Sequence, residues 1–422
     1  MLLASLLLAV ASGTGAGFAR YLEPVTKSHD FNGVVLIARG DRVVWQKAYG
    51  NADWDLQVPL TMQSKFRVAS ITKTFTAAAV SILAERGKLA YTDPLSKFIP
   101  DFPKGDKITI RQLLGHQSGV PNPDSQTCSS ASLTDIVAEL AKKPLWFEPG
   151  TSNGYSNGGY ALLARVVEVA SGKSWKDFLR DEIFQPLALG ETTVDVQGAV
   201  VPRRARGFVP GPGAAGIEHA RCEGAWAAFG SGAVISSAND LYRWARDVRN
   251  DKPFKRTALE YPYGWGKRNY FGKNAIEQSG IVNGFSSYVA AYLDEDLYIV
   301  VLSNVQTGEL TDVGKGLAAV ALGVEPPKLT PSPATVVSTA KERAEWTGKF
   351  RDPNIATTSI FESDGTLYLR WENSPDAVYL APTAPSQAFD REDSINLTLS
   401  DDRKAITMRW SDGKPHEFQR LP

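Results

Sequence analysis

The tetrapeptide Ser70-Ile71-Thr72-Lys73 places a hydroxyl and an amine at a spacing that suits nucleophilic catalysis. The apolar pattern from Phe75 to Leu83 predicts a helix that ends at Gly87. Residues three apart lie on one face of a helix, so both side chains are expected to face the same side. The positive end of the helix dipole and burial both disfavour an ammonium ion. Lys73 would then be able to take the Ser70 proton.

The same spacing occurs twice more, so the spacing alone is a weak signal. Ser338 to Lys341 adjoins a proline-rich stretch, and Ser411 to Lys414 contains the turn dipeptide Asp412-Gly413. Only the Ser70 copy starts a long amphipathic helix behind an apolar run, Phe66 to Ala69. We therefore expect the reactive pair at Ser70 and Lys73.

Two further segments carry groups that suit the same chemistry. Tyr155-Ser156-Asn157 precedes a predicted helix from Tyr160 to Ala170, and residues two apart in an extended chain point the same way. Its phenol and its amide can therefore face one pocket, although a surface turn is the alternative. Gln278-Ser279-Gly280, followed by Gly284-Phe285, is a glycine-flanked strand start whose backbone N–H groups can approach a ligand closely.

The pattern along the chain predicts a leader and two domains. Residues 1–19 combine the apolar run Leu2 to Val10 with small residues, which is typical of a signal peptide, although no Lys or Arg precedes the run. Strand and helix patterns alternate over 20–325, beginning with a hairpin through Arg39-Gly40-Asp41. A proline-rich linker, 326–339, follows. Short strand-like runs between turns predict a small antiparallel β-domain, barrel-like or sandwich-like, over 340–422.

Composition excludes several classes of function. The 422 residues contain 46 Lys+Arg and 46 Asp+Glu, so no basic excess favours nucleic acid or an anionic membrane. The four histidines are scattered and show no metal-ligand spacing. The sequence has no second long apolar stretch, so we predict no transmembrane span. In an oxidising compartment Cys128 and Cys222 are able to form a disulfide, with two unpaired buried thiols as the alternative.

Taken in chain order, the motifs resemble the serine β-lactamase and penicillin-binding-protein superfamily, in its branch of class C β-lactamases, DD-peptidases and family VIII esterases. The resemblance covers roughly residues 30–320. It implies an α/β sandwich of a five-stranded antiparallel sheet against helices, with an all-α subdomain. The C-terminal domain resembles the lipocalin-like or barrel-like appendages of some members. The motifs are Phe66 to Lys73, Leu113 to Pro121, Glu148-Pro149-Gly150, Tyr155-Ser156-Asn157 and Ser279-Gly280 leading to Gly284-Phe285.

The resemblance implies acyl transfer in two steps without a cofactor or a metal. Ser70 would attack a carbonyl carbon, with Lys73 as the first proton acceptor. Tyr155 would carry protons to the leaving group and later help to activate water. The substrate would be a small molecule or a peptide-like acyl compound.

The resemblance also implies supporting roles around the nucleophile. Asn157 would orient Lys73 and the substrate, and Gln278, Ser279 and Gly280 would line the substrate site. The backbone N–H groups of Ser70 and Ile281 would form the oxyanion hole. We interpret His116, which matches a histidine of the family, as structural.

The motif at Gln278 departs from the family, which usually has Lys or His there. A neutral amide hydrogen-bonds a substrate carboxylate but does not pair with it as a cation does. Esters, or amides without a carboxylate beside the scissile bond, therefore fit this sequence better. Trp226, Tyr263 and Trp265 are candidates for an apolar acyl pocket.

The sequence predicts a periplasmic or secreted serine hydrolase of the esterase or D-amino-acid peptidase type. A DD-carboxypeptidase or a β-lactamase proper is one alternative, and a non-catalytic peptidoglycan-binding or partner-binding protein is another. Gly154 to Gly158 also fits the G-x-S-x-G elbow with Ser156 as nucleophile, but the turn-rich segment before it does not resemble the strand that an elbow requires. The oligomeric state stays open.

Overall fold

The computed structural model describes residues 15–28, 30–124, 130–212, 216–220, 228–253, 264–308, 310–372, 374, 377–410 and 413–422. Cys128 and Cys222 lie outside these residues, so their pairing stays a prediction. Of the predicted signal peptide, residues 1–14 lie outside them as well.

Helices surround a central sheet, and several begin with a Ser or Thr whose side chain accepts a backbone N–H of the first turn. In chain order the described helices are α1 (Gly15–Lys27), α2 (Thr72–Glu85), α3 (Ile110–Leu114), α4 (Leu133–Ala141), α5 (Asn157–Ser171), α6 (Trp175–Leu179), α7 (Ala238–Arg249), α8 (Leu310–Leu322) and α9 (Ala340–Trp346).

The described strands form one large sheet, one closed barrel and three small sheets. In chain order they are β1 (Gly33–Arg39), β2 (Arg42–Tyr49), β3 (Asn51–Asp53), β4 (Val58–Pro59), β5 (Phe66–Arg67), β6 (Thr193–Val194), β7 (Phe208–Pro210), β8 (Ile217–His219), β9 (Val234–Ser236), β10 (Gly266–Tyr270), β11 (Lys273–Val282), β12 (Phe285–Tyr292), β13 (Leu297–Ser303), β14 (Gly348–Asp352), β15 (Ala356–Ser363), β16 (Thr366–Trp371), β17 (Val378–Ala384), β18 (Gln387–Asp390), β19 (Ile395–Leu399), β20 (Ala405–Arg409) and β21 (Pro415–Arg420).

The large sheet is antiparallel with the order β10-β11-β12-β13-β1-β2, and helices cover both of its faces. Successive side chains of a strand point to opposite faces, so β1 contributes to two cores. Val34 and Leu36 pack with α2, α5 and α7, whereas Val35 and Ile37 pack with α1 and α8. The expected α/β sandwich is therefore confirmed. The expectation of five strands is wrong, because the hairpin partner β10 adds a sixth strand at the edge next to β11.

Helix α2 is the central helix of the larger core. Every residue from Thr72 to Leu83 is buried, including the charged Lys73. The helix continues to Glu85, and Gly87 follows with φ +67°, a left-handed conformation that suits glycine at a helix end. A helix enclosed by α5 and the sheet fixes the position of whatever side chains lie in its first turn.

The C-terminal domain is a closed eight-stranded antiparallel barrel, in which β21 pairs with β14. Burial alternates along β19, where Ile395, Leu397 and Leu399 face the interior and the residues between them are exposed. Thus the predicted antiparallel β-domain is confirmed and is a barrel. Residues 324–339, between α8 and α9, contain neither helix nor strand.

The barrel contacts the α/β domain through the loop between β18 and β19. Arg391 donates to Asp30 Oδ1 at 2.6 Å and to the carbonyl of Gly216 at 2.8 Å. The linker joins the same point, because the backbone N–H of Ser332 donates to Asp30 Oδ2 at 2.9 Å. Both members of the Arg391–Asp30 pair are largely buried, with 11% and 4% of their side chains exposed.

Helix α1 overlaps the end of the predicted signal peptide. Phe18, Leu22 and Val25 are buried in the core beneath the sheet, and the Phe18 ring lies 5.3 Å from that of Trp45. The predicted boundary at residue 19 falls inside this helix, so cleavage there would remove a buried phenylalanine. The export signal itself stays a prediction.

A buried ion pair holds the strand that leads to Ser70. Arg67 donates to Asp195 at 2.7 Å, and the two side chains are 3% and 1% exposed. Removing one partner of such a pair leaves an uncompensated charge in the interior. We expect Asp195→Ala to lower the free energy of unfolding by about 3–5 kcal/mol, measured by denaturant unfolding.

Glu23→Ala is the matched control, because Glu23 contacts Lys27 at the same 2.7 Å in an exposed pair. This variant should leave the unfolding midpoint nearly unchanged, since solvent screens such pairs. Equal effects of the two variants would contradict the role of the buried pair.

Candidate active site

Ser70 lies at the junction between a strand and a helix. It is the middle residue of a 3₁₀ turn, Ala69–Ile71, between β5 and α2. The preceding backbone is fixed on both sides, because the Val68 N–H donates to Val234 O at 3.0 Å and the Val68 carbonyl accepts from Ser287 at 2.8 Å. Ala69 has φ +46°, a conformation that costs free energy for a residue other than glycine. This strained junction presents the half-buried Ser70 hydroxyl.

Lys73 is fully buried and contacts three oxygen atoms. Its Nζ lies 3.0 Å from Ser70 Oγ, 2.7 Å from Asn157 Oδ1 and 3.0 Å from the carbonyl oxygen of Ser231. All three are uncharged. Burial lowers the pKa of Lys73 well below its ordinary value. The amine is therefore held beside the hydroxyl in an environment that favours its neutral form.

Tyr155 and Asn157 approach the pair from the start of α5. The residue between them, Ser156, is extended, with φ −127° and ψ 114°, so their side chains point the same way. The Tyr155 hydroxyl donates to Ser70 Oγ at 2.8 Å, and the Asn157 N–H donates to Asn122 Oδ1 at 2.7 Å. The structure thus brings together the predicted Ser70, Lys73, Tyr155 and Asn157.

Ser156 has a structural position instead. Its hydroxyl accepts the N–H of Gly159 at 2.8 Å as the cap of α5, and the residue is 1% exposed. A buried hydroxyl that caps a helix does not face a substrate, so the geometry argues against the elbow interpretation.

The Tyr155 hydroxyl faces inward although half of the side chain is exposed. Enclosure of its oxygen raises the pKa of Tyr155 to about 12, while the hydrogen bond to Ser70 acts in the opposite direction. The His116 ring packs at a tilt of 33° against the Tyr155 ring, with the centroids 4.6 Å apart, and its Nδ1 accepts the N–H of Ser156 at 3.1 Å. Burial lowers the pKa of His116 to about 4. The neutral imidazole therefore orients the segment around Tyr155.

Strand β11 passes directly beside Ser70. A Cβ at Gly280 would lie 2.6 Å from the backbone nitrogen of Ser70 and 2.8 Å from Val68 O. Only glycine permits this approach, which also sets the neighbouring Ile281 on the same cleft as Ser70. Ser279 is exposed beside it.

The amide of Gln278 is occupied within the protein. Its Nε2 donates to the Gly264 carbonyl at 2.8 Å, and its Oε1 accepts the N–H of Ser279 at 3.1 Å. Gln278 thus ties the strand carrying Gly280 to the segment before β10.

The cleft at Ser70 has a volume of about 220 Å³. Sequence reasoning missed four of the polar residues that line or support it, namely Asn122, Ser231, Asn283 and Gln306. The one signal in the sequence was Gly230-Ser231-Gly232, where Gly230 has φ +69° and approaches the Tyr160 carbonyl too closely for a side chain.

A second cavity, of about 540 Å³, has Tyr155 in its lining. Trp265 and Gln278 line it, together with two cations, Arg111 and Arg268, of which Arg268 contacts Glu277 at 3.0 Å. Of the three aromatic residues predicted for an acyl pocket, Trp265 is buried at this cavity, and Trp226 and Tyr263 lie outside the described residues.

The described residues contain neither a metal-binding cluster nor a membrane-spanning helix. Over these ranges no three His, Cys, Asp or Glu side chains are grouped so as to hold a metal ion. Nor does any helix there have the length and apolar character that crossing a bilayer requires.

Comparison with known proteins agrees with the geometry. A family model described as Beta-lactamase matches residues 18–323. Penicillin-binding protein 4* of Bacillus subtilis (strain 168) is 29% identical over 443 residues, which cover 94% of this chain and 97% of that protein.

Solved structures show the same fold at lower sequence identity. An octameric penicillin-binding protein homologue from Pyrococcus abyssi has a TM-score of 0.64 and 19% identity, and the match covers 95% of this chain and 98% of that one. The D-amino acid amidase from Ochrobactrum anthropi SV3 has a TM-score of 0.65 and 21% identity over 72% of this chain and 96% of its own. The chain therefore belongs to the beta-lactamase family, within the superfamily of serine β-lactamases and penicillin-binding proteins.

Proposed function

We propose that the protein is a serine hydrolase that forms an acyl-enzyme on Ser70 from an ester or an amide. The observation that carries this proposal is that Ser70 Oγ contacts both the buried amine of Lys73 at 3.0 Å and the hydroxyl of Tyr155 at 2.8 Å. A nucleophile needs a base within hydrogen-bond reach and a third group that orients the base. Asn157 is the orienting group here, at 2.7 Å from Lys73.

The donor and acceptor pattern around Lys73 suits a neutral amine. Two of its contacts, Asn157 Oδ1 and the Ser231 carbonyl, are acceptors only, so they take the two N–H groups of a neutral amine. The lone pair then faces Ser70 and accepts its proton as the oxygen attacks the carbonyl carbon. Positioned proton transfer of this kind contributes about 10² to 10⁴ in rate.

Tyr155 acts on the leaving group in this mechanism. Its raised pKa keeps the phenol protonated, so it is a proton donor at neutral pH. After the leaving group departs with that proton, the proton that Lys73 took from Ser70 passes to the Tyr155 phenolate, while Ser70 Oγ stays bonded to the acyl group. The N–H groups of Ser70 and Ile281 stabilise the oxyanion, a contribution for which loss of one donor costs about 10² to 10³.

The substrate class follows from charge and size. The Gln278 amide already bonds Gly264 and Ser279, and it provides no cation for a carboxylate beside the scissile bond. The cleft of about 220 Å³ suits a short acyl group, and the larger cavity lined by Tyr155 suits the leaving group. Arg111 and Arg268 at the larger cavity favour a leaving group with a distant anionic or polar part.

We further propose the domain limits 20–325 for the hydrolase, 326–339 for the linker and 340–422 for the barrel domain. Export to the periplasm or the medium is proposed from the apolar N-terminal run and agrees with the relation to a penicillin-binding protein.

Ser70→Ala should reduce hydrolysis of p-nitrophenyl acetate by at least about 10³-fold, because the nucleophile is lost. Ser156→Ala is the matched control. It also removes a serine hydroxyl near the site, but that hydroxyl only caps a helix. Initial rates of p-nitrophenol release measure both. Loss of activity in Ser156→Ala with retention in Ser70→Ala would reverse the assignment.

The pH profile tests Lys73 as the base. Activity needs the unprotonated amine, and burial lowers the pKa of that amine. The value of kcat/KM for p-nitrophenyl acetate should therefore rise with pH and reach a plateau well below the value of about 10.4 for a free lysine. Lys73→Arg should be inactive throughout, because a guanidinium does not lose its proton, whereas Lys47→Arg at an exposed position should keep the whole profile. An active Lys73→Arg enzyme would contradict the assignment.

A further inference from the structure

The barrel domain reaches the wall of the catalytic cleft through one side chain. Glu392 lies in the loop between β18 and β19, and its carboxylate Oε2 accepts Nε2 of Gln306 at 2.8 Å. Gln306 lines the cleft that contains Ser70. On its other side, Oε1 of Gln306 accepts the backbone N–H of Gly284 at 3.0 Å. These three residues, called here the interdomain clasp, connect two domains at the site.

The far end of the clasp is the turn that follows the proposed oxyanion residue. Gly284 lies between β11 and β12 with φ +80°, and Ile281, Val282 and Asn283 before it line the cleft. A Cβ at Gly284 would lie 2.6 Å from the Phe208 nitrogen, so the turn is pressed against the neighbouring segment. A small movement of this turn changes the cleft wall opposite Ser70.

Glu392 determines which way the Gln306 amide points. A carboxylate only accepts hydrogen bonds, so the NH₂ group of Gln306 must face it and the carbonyl oxygen must face Gly284. The opposite orientation would put two donors together at Gly284 and two acceptors together at Glu392. Without an acceptor at position 392, the NH₂ group of Gln306 loses its partner, and only the Gly284 N–H still favours this orientation.

The loop that carries Glu392 is itself fixed. Asp390 Oδ1 accepts the N–H groups of Glu392 at 2.8 Å and of Asp393 at 3.3 Å. The Glu392 carbonyl accepts the N–H of Gly308 at 2.5 Å, two residues after Gln306. The adjacent Arg391 forms the buried pair with Asp30. Contacts on both sides of Glu392 therefore hold its carboxylate in register with Gln306.

We propose that Glu392 is a positioning residue of the active site, through which the barrel domain sets the acyl preference of the cleft. This inference rests on the proposed function of the same site. It assigns the barrel a part in substrate selection, because the carboxylate orients Gln306 and Gln306 holds the turn at Gly284. The substrates affected are esters and amides that differ in the length of the acyl group.

The test compares Glu392→Ala with Glu392→Gln in the full-length protein. The glutamine retains an acceptor oxygen for Gln306 and should behave like wild type, whereas the alanine should release the turn. The first readout is the ratio of kcat/KM for p-nitrophenyl butyrate to that for p-nitrophenyl acetate. We expect Glu392→Ala to change this ratio by about tenfold, since small displacements of a pocket wall alter discrimination by this order.

The second readout does not depend on activity. Hydrogen–deuterium exchange of the peptide covering residues 281–287 should become about tenfold faster in Glu392→Ala, because Gln306, which accepts the Gly284 N–H, is no longer held on its other side. Glu372→Ala, at an exposed glutamate of the barrel, is the control and should match wild type in both readouts. Gln306→Met has a similar shape and removes both bonds, so it should reproduce Glu392→Ala if that variant does not fold.

Three results would overturn the inference. The first is a Glu392→Ala variant with an unchanged ester ratio and an unchanged exchange rate, and the second is the same result in Gln306→Met. The third is a Glu392→Gln variant that behaves like Glu392→Ala. A merely structural role would reduce both esters equally and leave the ratio unchanged. If the wild type hydrolyses neither ester, the proposed function fails, while the exchange comparison still decides whether the clasp holds the turn.

Discussion

The complete burial of the Lys73 amine is the constraint on which the rest of the site depends. A lysine leaves water only where its N–H groups find acceptors, and here Asn157 and the Ser231 carbonyl supply them. Those acceptors come from the start of α5 and from the segment before β9, so both elements must meet the first turn of α2. The same burial lowers the pKa of the amine, and the proposed function uses this amine as the base beside Ser70.

Spacing, read together with the sequence around each motif, predicted which of these side chains lie close together. Ser70 and Lys73 share a helical turn, and Tyr155 and Asn157 share one side of an extended segment, so geometry within each segment already indicated their direction. The strands around the Arg39-Gly40-Asp41 turn and the short strands of the barrel were predictable for the same reason. Their periodicity and turn residues lie within a few positions of one another.

Contacts between distant segments could not be predicted from one sequence. The carbonyl of Ser231 acts through its backbone, so the identity of the residue carried no signal. Gln306 and Glu392 are residue types common on protein surfaces, so nothing in the sequence indicated that they contact each other at the cleft. The sixth strand, β10, joins the sheet through its hairpin with β11. The sequence before it shows no clear hydrophobic periodicity. The occupied amide of Gln278 likewise depends on Gly264, fourteen positions away.

The central claim is that Ser70 becomes acylated, and intact-mass measurement tests it most directly. The purified protein is exposed briefly to p-nitrophenyl butyrate and, separately, to benzylpenicillin, with the Ser70→Ala variant treated in parallel. The account predicts a butyryl adduct, or rapid p-nitrophenol release, that depends on Ser70 and exceeds any penicilloyl adduct. Absence of Ser70-dependent chemistry with both compounds would contradict the account and leave a binding protein as the better description.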